Sequence, residues 1–430
     1  MFNSLPRGRY HSSFFYQLRK LVPLSFGSNK EQKLKGEFES AFANLIGRNH
    51  CYCVSSARMA MYYTFKFLNL PKESKVLIHA INIPDIVNAI IVNDLKPCFV
   101  DLDLDSQSIC LESLKREAEG ARALVITYLS GLLPDIQREI VDFCKEKNII
   151  IVEDFSQFVS GGRYEGKPGT IGEISICSFS TGKPISTLIG GAIVTERDLS
   201  EFLAEETRGS QPLEKKALLL KFLDLMMVTI LTSRFVFNLF TMPLIQLISF
   251  VFRNYDINKL QENALASPND NKWELAFSDY EVRRTEMPKE FRFTLSDWQY
   301  RFGLETFESS LVDNQKRAEL AQLFYESVNE RVRERLPLCV RNFSKNTFFH
   351  LPFYETERMD ELQSFLRGKG IDTGPYSLAL NSQLECFKEF AKETPKAEII
   401  KKKSIFIPLD ESFSPKQIIS MAQIFNQFYS

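Results

Sequence analysis

Seven short apolar runs, separated by helical or polar stretches, constrain this chain more than any other feature: "CYCVS", "SKVLIHA", "KPCFVDLD", "ARALVITYL", "NIIIVEDFS", "EISICSFS" and "GGAIVT", in that order between residues 51 and 195. Helical spacing fills several of the gaps, as in Ser56–Leu68 and Asp135–Lys147. Nearly continuous apolar strands alternating with helices predict an α/β unit with a mostly parallel sheet covered on both faces. Ligands of such sheets gather beyond the carboxyl ends of the strands. Ahead of the first strand, "KGEFESAFANLIG" places Phe38, Phe42 and Ile46 on one helical face and stops at Gly47.

The second half reads differently. "TLSDWQYRFGLETFESSLVDNQKRAELAQLFYESVNERV" predicts one long amphipathic helix or two in series. Strand-like "TFFHLPFYE" and "KSIFIPL" follow, with helices near 357–368 and 414–428, which makes a smaller α+β domain. The expected division is a basic aromatic arm at 1–30, a large cofactor-binding domain at 31–205, an apolar helical insert and linker at 206–290, and the long helix with the small domain at 291–430.

Composition narrows the function class. With 44% hydrophobic and 25% charged residues the chain is globular, and a net charge of -1 argues against a dedicated nucleic-acid binder. None of the eight cysteines forms a CxxC pair, and none of the four histidines, His11, His50, His79 and His350, pairs with a cysteine at zinc-finger spacing. No metal site is expected. Without a secretory apolar region at the N-terminus, the cysteines read as reduced thiols of a cytoplasmic chain.

Charge is unevenly distributed. Residues 1–30 carry Arg7, Arg9, Arg19, Lys20 and Lys30 with no acid, and Phe14, Phe15 and Tyr16 lie among them. Residues 217–252 hold only three charges, Lys221, Asp224 and Arg234, and Phe235–Phe252 is an uncharged run of eighteen broken by Pro243. Two readings stay open for this insert. One is a helical hairpin lying in an anionic membrane interface, flanked by Lys215, Lys216 and Arg253, with the arm beside it. The other is a set of helices, and an arm, that pack on the protein or a partner subunit. The first would make the chain peripheral on the inner face of the membrane. "KKK" at 401–403 is expected to be a solvated helix end.

Chemistry concentrates in "SFSTGKPISTLIGGAIV", where Lys183 is the only charge from Ser178 to Val194. Upstream, "IIIVEDFSQ" ends an apolar strand on Glu153 and Asp154, with Gln157 three residues beyond. A carboxylate at a buried strand end needs a cationic partner, and a protonated pyridine nitrogen would serve. A lysine amine in a partly dry loop has a lowered pKa and can condense with an aldehyde. Ser178 offers a hydroxyl to a phosphate. The "SSARMAM" turn at Ser55–Met61 opens a helix whose backbone N–H groups suit the same anion. Singly, such residues serve as helix caps, surface pairs or snorkelling lysines. Together they describe a site for pyridoxal 5′-phosphate.

These motifs resemble the DegT/DnrJ/StrS sugar aminotransferases, fold-type I pyridoxal phosphate enzymes, in order from about residue 32 to the C-terminus apart from the insert. "VSSARMAM" is similar to the family's phosphate turn, "KPCFVDLDLDSQSI" to its K-P-V-F-V-D-V-D, and "VEDFSQ" to its I-E-D-A-A-Q. "CSFSTGKPISTLIGGAIVT" resembles S-F-x-x-x-K…G-G-A-I-V-T, and "FTLSDWQYRFGLETFE" and "GIDTGPYSLALN" fall where the family has its long-helix start and substrate-side loop. The resemblance implies Lys183 as the residue bonded to the cofactor aldehyde and Asp154 as partner of the ring nitrogen. It implies ring contact by Gln157, and phosphate contacts by Ser178, Ser56, Ala57 and Arg58. Ile83 stands where the family stacks an aromatic ring, and Arg292 where an asparagine reaches a neighbouring subunit's phosphate. "YLSG" at Tyr128–Gly131 and Tyr376-Ser377 depart from the family's substrate-side histidines.

The implied activity is transfer of an amino group from L-glutamate to a keto-sugar, nucleotide-linked, for polysaccharide or glycolipid synthesis, in a homodimer with shared sites. A dehydratase of the same fold would carry histidine at the Lys183 position. A membrane-associated scaffold that lost turnover is the remaining alternative.

Overall fold

The computed structural model describes residues 4–8, 31–161, 165–251 and 281–430. The aromatic and basic stretch from Arg9 to Lys30 lies outside them, as do Phe252 and Arg253.

Helix α1 (Glu31–Ile46) ends where Gly47 takes φ 92°, and the Gly47 N–H closes on the Ala43 carbonyl at 2.8 Å. Strand β1 (His50–Val54) leads through Ser55 and Ser56 into α2 (Ala57–Leu68). There follow β2 (Lys75–His79), β3 (Ile81–Asn82), α3 (Pro84–Ile91), β4 (Lys96–Val100), α4 (Leu111–Glu117), β5 (Ala121–Thr127), α5 (Gln137–Glu146), β6 (Ile150–Asp154), β7 (Ile174–Ser178) and β8 (Gly191–Thr195). Seven of these strands form one sheet in the order β1-β8-β7-β6-β5-β2-β4. Only β8 runs against its neighbours, β7 and β1; the remaining pairings, from β7 through β6, β5 and β2 to β4, are parallel. The mostly parallel sheet predicted from the seven apolar runs is therefore observed. One buried cluster, including Phe65, Ile90, Val152 and Ile193, covers one face of the sheet, and a second, including Phe42, Leu124, Cys144 and Val194, covers the other.

After α6 (Ser200–Glu206) the apolar insert begins with α7 (Lys215–Leu231). A break at Thr232 and Ser233 precedes a second arm: Arg234–Val236, a π-helical stretch Phe237–Thr241, and α8 (Met242–Val251). The two arms are bent by 55°, so the insert is an elbow and not the hairpin that one of the two readings of this segment invoked. The Thr241 hydroxyl donates to the Leu231 carbonyl at 2.8 Å across the break, which closes the joint. No single described helix is long and apolar enough to cross a membrane.

The long helix is one element, α9 (Asp297–Ser327), started by a capping box between Ser296 and Gln299. The remaining strands, β9 (Leu351–Tyr354), β10 (Gly374–Pro375), β11 (Ala379–Leu380) and β12 (Ser404–Ile407), alternate with α10 (Met359–Gly368) and α11 (Pro395–Lys402), and α12 (Pro415–Phe428) ends the chain. β10, β12 and β9 form a small sheet. It shares a separate core with the C-terminal part of α9 and with α12, including Phe324, Phe353 and Phe425. Short β11 instead returns to the large domain, pairing Ala379–Leu380 with Ile81–Asn82. Residues 376–381 are thereby laid along the carboxyl edge of the large sheet.

Candidate active site

Strand direction assembles the site. β1, β2, β5, β6 and β7 all end at one edge, so residues following Val54, and residues His79, Thr127, Asp154 and Ser178, meet there. β8 runs the other way, and the Phe179–Gly190 loop joining β7 to β8 therefore projects from the same edge with Lys183 on it.

Glu153 and Asp154 are adjacent and both buried, but they alternate across the strand and do different things. Glu153 accepts from the Tyr128 hydroxyl at 2.8 Å, the backbone N–H groups of Gly169, Ile171 and Gly172 at 2.9, 2.8 and 2.7 Å, and the Ser175 hydroxyl at 2.8 Å. That full shell makes it a clamp on the crossover from β6 to β7. Asp154 accepts the Ser156 N–H at 3.0 Å, and desolvation by burial raises its pKa while the Lys183 cation pulls in the opposite direction. A carboxylate held in this state favours a cation beside it.

The Lys183 loop is well fixed. Phe179 N–H donates to the Gly190 carbonyl at 2.8 Å, Thr181 N–H to Leu188 at 2.9 Å and Thr187 N–H to Phe179 at 2.9 Å. The Gln299 side-chain amide from α9 donates to the carbonyls of Thr187 and Ile189 at 3.1 and 2.8 Å. Lys183 Nζ lies 4.8 Å from the centre of the Phe349 ring. Phe349 belongs to an aromatic wall from the small domain: Phe349 meets His350 at 4.5 Å, His350 stacks on Phe406 at 4.1 Å, and Phe406 meets Tyr376 at 4.9 Å. Burial, then the charges of Lys183 and Arg317, lower the His350 pKa to about 3, so this imidazole is neutral at physiological pH.

Gly191 brings β8 against the turn before α2. A Cβ there would stand 2.4 Å from the Ala57 nitrogen, so only glycine permits the approach. Ser56 caps α2, its hydroxyl accepting the Met59 N–H at 3.3 Å. Helix geometry leaves the first-turn amides of Ala57 and Arg58 without intrahelical acceptors. Ser178 Oγ lies 3.0 Å from Ser180 Oγ. The Arg58 guanidinium donates to Asp85 at 3.0 Å, and Arg284 approaches the other oxygen of Asp85 at 2.5 Å. Both guanidinium groups lie over the Phe291 ring, at 5.2 and 5.3 Å from its centre.

Of the sequence-predicted residues, Asp154, Lys183, Ser178, Ser56, Ala57 and Arg58 thus share one edge. Ile83 caps α3 beside Asn82, which donates to Thr127 Oγ at 3.0 Å, so it borders that edge too. Gln157 Oε1 accepts the Ser130 N–H at 2.7 Å and fixes the "YLSG" turn. Arg292 is exposed, next to Phe291, whose carbonyl accepts the Ser55 hydroxyl of the same chain. Sequence reasoning missed the wall of Phe349, His350 and Phe406. It also missed His79, whose Nε2 accepts the Thr127 N–H at 3.3 Å while its buried Nδ1 has no partner among the described residues. A histidine ending a buried strand was the available signal. Lys401 is half-buried rather than solvated, donating to the Tyr376 carbonyl at 2.7 Å.

Residues 25–208 match the DegT/DnrJ/EryC1/StrS aminotransferase family. The chain is 26% identical over 163 residues to a GDP-perosamine synthase of Vibrio cholerae, covering 38% of this chain and 44% of the relative. It is 29% identical over 164 residues to a UDP-4-amino-4,6-dideoxy-N-acetyl-beta-L-altrosamine transaminase of Campylobacter jejuni, covering 37% and 43%. The chain thus spans less than half the length of the curated relatives it matches. Its fold matches Helicobacter pylori PseC, an aminotransferase involved in the biosynthesis of pseudoaminic acid, at TM-score 0.67 and 16% identity, over 99% of this chain and 98% of that one. It matches an E coli GDP-4-keto-6-deoxy-D-mannose-3-dehydratase with bound hydrated PLP equally, at 0.67 and 15% identity over 98% of each chain. Residues 25–208 are similar to the DegT/DnrJ/EryC1/StrS aminotransferase family, and over nearly its whole length the chain shares the fold of these solved structures.

Proposed function

We propose that this chain is a pyridoxal phosphate-dependent aminotransferase that moves an amino group from L-glutamate to a nucleotide-linked keto-sugar. The observation that carries the reading is the placement, at one sheet edge, of buried Asp154 at the end of β6 and of Lys183 on the fixed loop between β7 and β8, near enough for the lysine charge to act on the carboxyl. The residues present fit the cofactor. Asp154 is desolvated and disposed toward a cationic ring nitrogen, and the close approach at Gly191 leaves backbone amides at the α2 terminus for a phosphate.

In this reading Ser56, Ala57, Arg58 and Ser178 hold the phosphate, with Arg292 donated across a homodimer interface. Asp154 keeps a proton on the ring nitrogen, Gln157 contacts the ring and Ile83 covers one face of it. When bound, the cofactor supplies an aldehyde for amine exchange and a ring that draws electron density from the carbon losing its proton. Lys183 holds the cofactor between turnovers, and its Nζ then carries that proton to and fro as the base. The wall of Phe349, His350, Phe406 and Tyr376 excludes water on the substrate side. Neutral His350 adds no charge that would compete with Lys183 for the proton.

The same reading keeps the division at 1–30, 31–205, 206–290 and 291–430, and places the enzyme in the cytoplasm, peripheral on the inner membrane face through 1–30 and 217–252. The dehydratase alternative is disfavoured by Lys183 itself, because that reading needs histidine there. The test is borohydride reduction of the cofactor-loaded protein followed by peptide mapping. A cofactor adduct on the peptide containing Lys183, absent from Lys183→Ala, supports the proposal; an unmodified Lys183 peptide refutes it.

A further inference from the structure

Helix α7 is apolar on both its inner and its outer stripe, with Lys221 and Asp224 its only charges beyond the first two residues, a pattern expected of a helix covered on more than one side. Its inner stripe, Leu218, Phe222, Leu225 and Met226, is buried. Its outer stripe of Leu219, Leu223, Met227, Ile230 and Leu231 is exposed, and the second arm prolongs it through Phe235, Leu239, Phe240, Leu244 and Leu247, with Phe235 and Phe240 at 62% and 63%. Among the described residues, ten of the fourteen exposed large apolar side chains lie on this elbow, so the patch is local and not a general property of the surface.

Charge indicates what covers it. Between residues 215 and 251 there are four basic residues and one acid, in a chain whose net charge is -1. Lys215 and Lys216 at one end and Arg234 at the joint are exposed beside the stripe, against one exposed acid, Asp224, next to Leu223. A second copy seated on this face would bring the same cations to both sides of the contact, which opposes pairing. An anionic lipid surface meets both features at once. Neither arm alone is long and apolar enough to cross a bilayer, and with a bend of 55° between them the arms suit the plane of the interface.

The inner stripe touches the catalytic loop. Leu188, 1% exposed, shares a cluster with Phe222, Leu225, Met226 and Phe302, and packs there five residues after Lys183. Its backbone sits at φ 65°, in the left-handed region that a leucine rarely adopts without support from its surroundings. Trp298 completes the contact, 5.9 Å from Phe222 and 5.4 Å from Phe302. The second arm reaches the small domain as well. Gln246 donates to the Arg367 carbonyl at 2.8 Å, and Asn238 accepts the Ser4 N–H at 2.9 Å in the arm whose Arg7 pairs with Asp372 at 2.7 Å.

We propose that the elbow Lys215–Val251 docks on an anionic lipid bilayer through its outer stripe while its inner stripe holds the Lys183 loop, so that docking is transmitted to the reactive lysine. This deepens the peripheral attachment proposed above. Only the transmission to catalysis rests on the reading of Lys183, and docking is tested without cofactor or substrate.

The test uses the full chain with Trp273→Phe, which leaves Trp298 as its only tryptophan. Vesicles of phosphatidylcholine alone are compared with equimolar phosphatidylcholine and phosphatidylglycerol. Sedimentation with the anionic vesicles, weakened by salt and accompanied by a shift in Trp298 emission, is the expected result. Leu223→Ser, Met227→Ser and Leu244→Ser combined should cut the bound fraction by about tenfold or more while leaving the thermal midpoint in place, because these side chains are already exposed. Wild-type protein that stays in solution with both vesicles, or a triple variant that sediments like wild type, overturns the docking. So does light scattering in which the triple variant alone loses a dimer and neither protein binds vesicles, since the face is then covered by a second copy. Docking without any change in Trp298 emission overturns the transmission. Vesicle binding that persists when Lys183 takes no cofactor adduct leaves the dock standing and removes the assignment of the lysine.

Discussion

The edge around Asp154 and the elbow at Lys215–Val251 are built on opposite terms. At the edge, polar groups are buried and nearly all are answered: Glu153 by five donors, Asp154 by Ser156, and the Lys183 loop by its own backbone and Gln299. On the elbow, large apolar side chains such as Leu223, Met227 and Leu244 are exposed. A desolvated carboxylate is tolerated only where a ligand or neighbour compensates it, and an exposed apolar stripe only where a partner covers it. On the proposed function both regions point outward from the chain, one to a small cation-bearing ring and the other to a surface. Leu188 joins them, because it lies on the lysine loop and in the α7 cluster together.

The comparison is broken most severely at the edge. Lys183→Ala should lower amine transfer from L-glutamate by about a thousandfold or more, measured as turnover with a keto-sugar acceptor. Next in size is the contrast between the two faces of α7. Phe222→Ala empties a fully buried site and should cost about 3–5 kcal/mol in urea unfolding. Leu223→Ala, one residue on but exposed, should stay within about 0.5 kcal/mol of wild type. Equal losses at the two positions would mean that the outer stripe is covered by protein.

Asp154→Asn removes the charge that retains the ring proton and should lower turnover by about a hundredfold, with the cofactor still bound through its phosphate. The same residue makes a pH prediction for cofactor-free protein. Burial raises its folded pKa above the ordinary aspartate value, so the folded state holds the proton more tightly than the unfolded chain. That contribution is fully present below the unfolded pKa and is lost as pH rises through the higher folded value. Urea midpoints of wild type should therefore fall across this window relative to Asp154→Asn, and parallel curves would contradict the assignment. The smallest effect is at His350, whose pKa of about 3 leaves it neutral from pH 5 to 9. The pH profile of turnover should show no step near 6.5 that His350→Gln abolishes.

How far the sequence disclosed this molecule follows from the range of each interaction. Apolar runs ending in Asp154 and Ser178 mark strand ends, and strand ends in a parallel sheet share an edge, so that grouping was legible residue by residue. The charge of Lys183 stood out against its surroundings for the same local reason. The elbow was legible only as composition. A helix apolar on both its inner and its outer stripe has too little periodicity to say which stripe is buried, and the bend at Thr232 and Ser233 carries neither glycine nor proline. The aromatic wall was hidden because Phe349, Phe406 and Tyr376 come from separate segments that meet only in the folded small domain. Arg58 illustrates the same limit. Its place in the turn was readable, but its pairing with Asp85, and the arrival of Arg284 at the same carboxylate from beyond the insert, depend on tertiary contacts between distant residues.

The central claim, that the amine of Lys183 and the carboxyl of Asp154 serve two ends of one cofactor, is tested most directly by absorbance. Purified protein loaded with pyridoxal phosphate is titrated with L-glutamate, beside Lys183→Ala treated identically. The account predicts a glutamate-dependent change in the wild-type cofactor band that a keto-sugar reverses, and no reversible change in the variant. A wild-type spectrum indifferent to glutamate, or a variant that responds as wild type does, would contradict it.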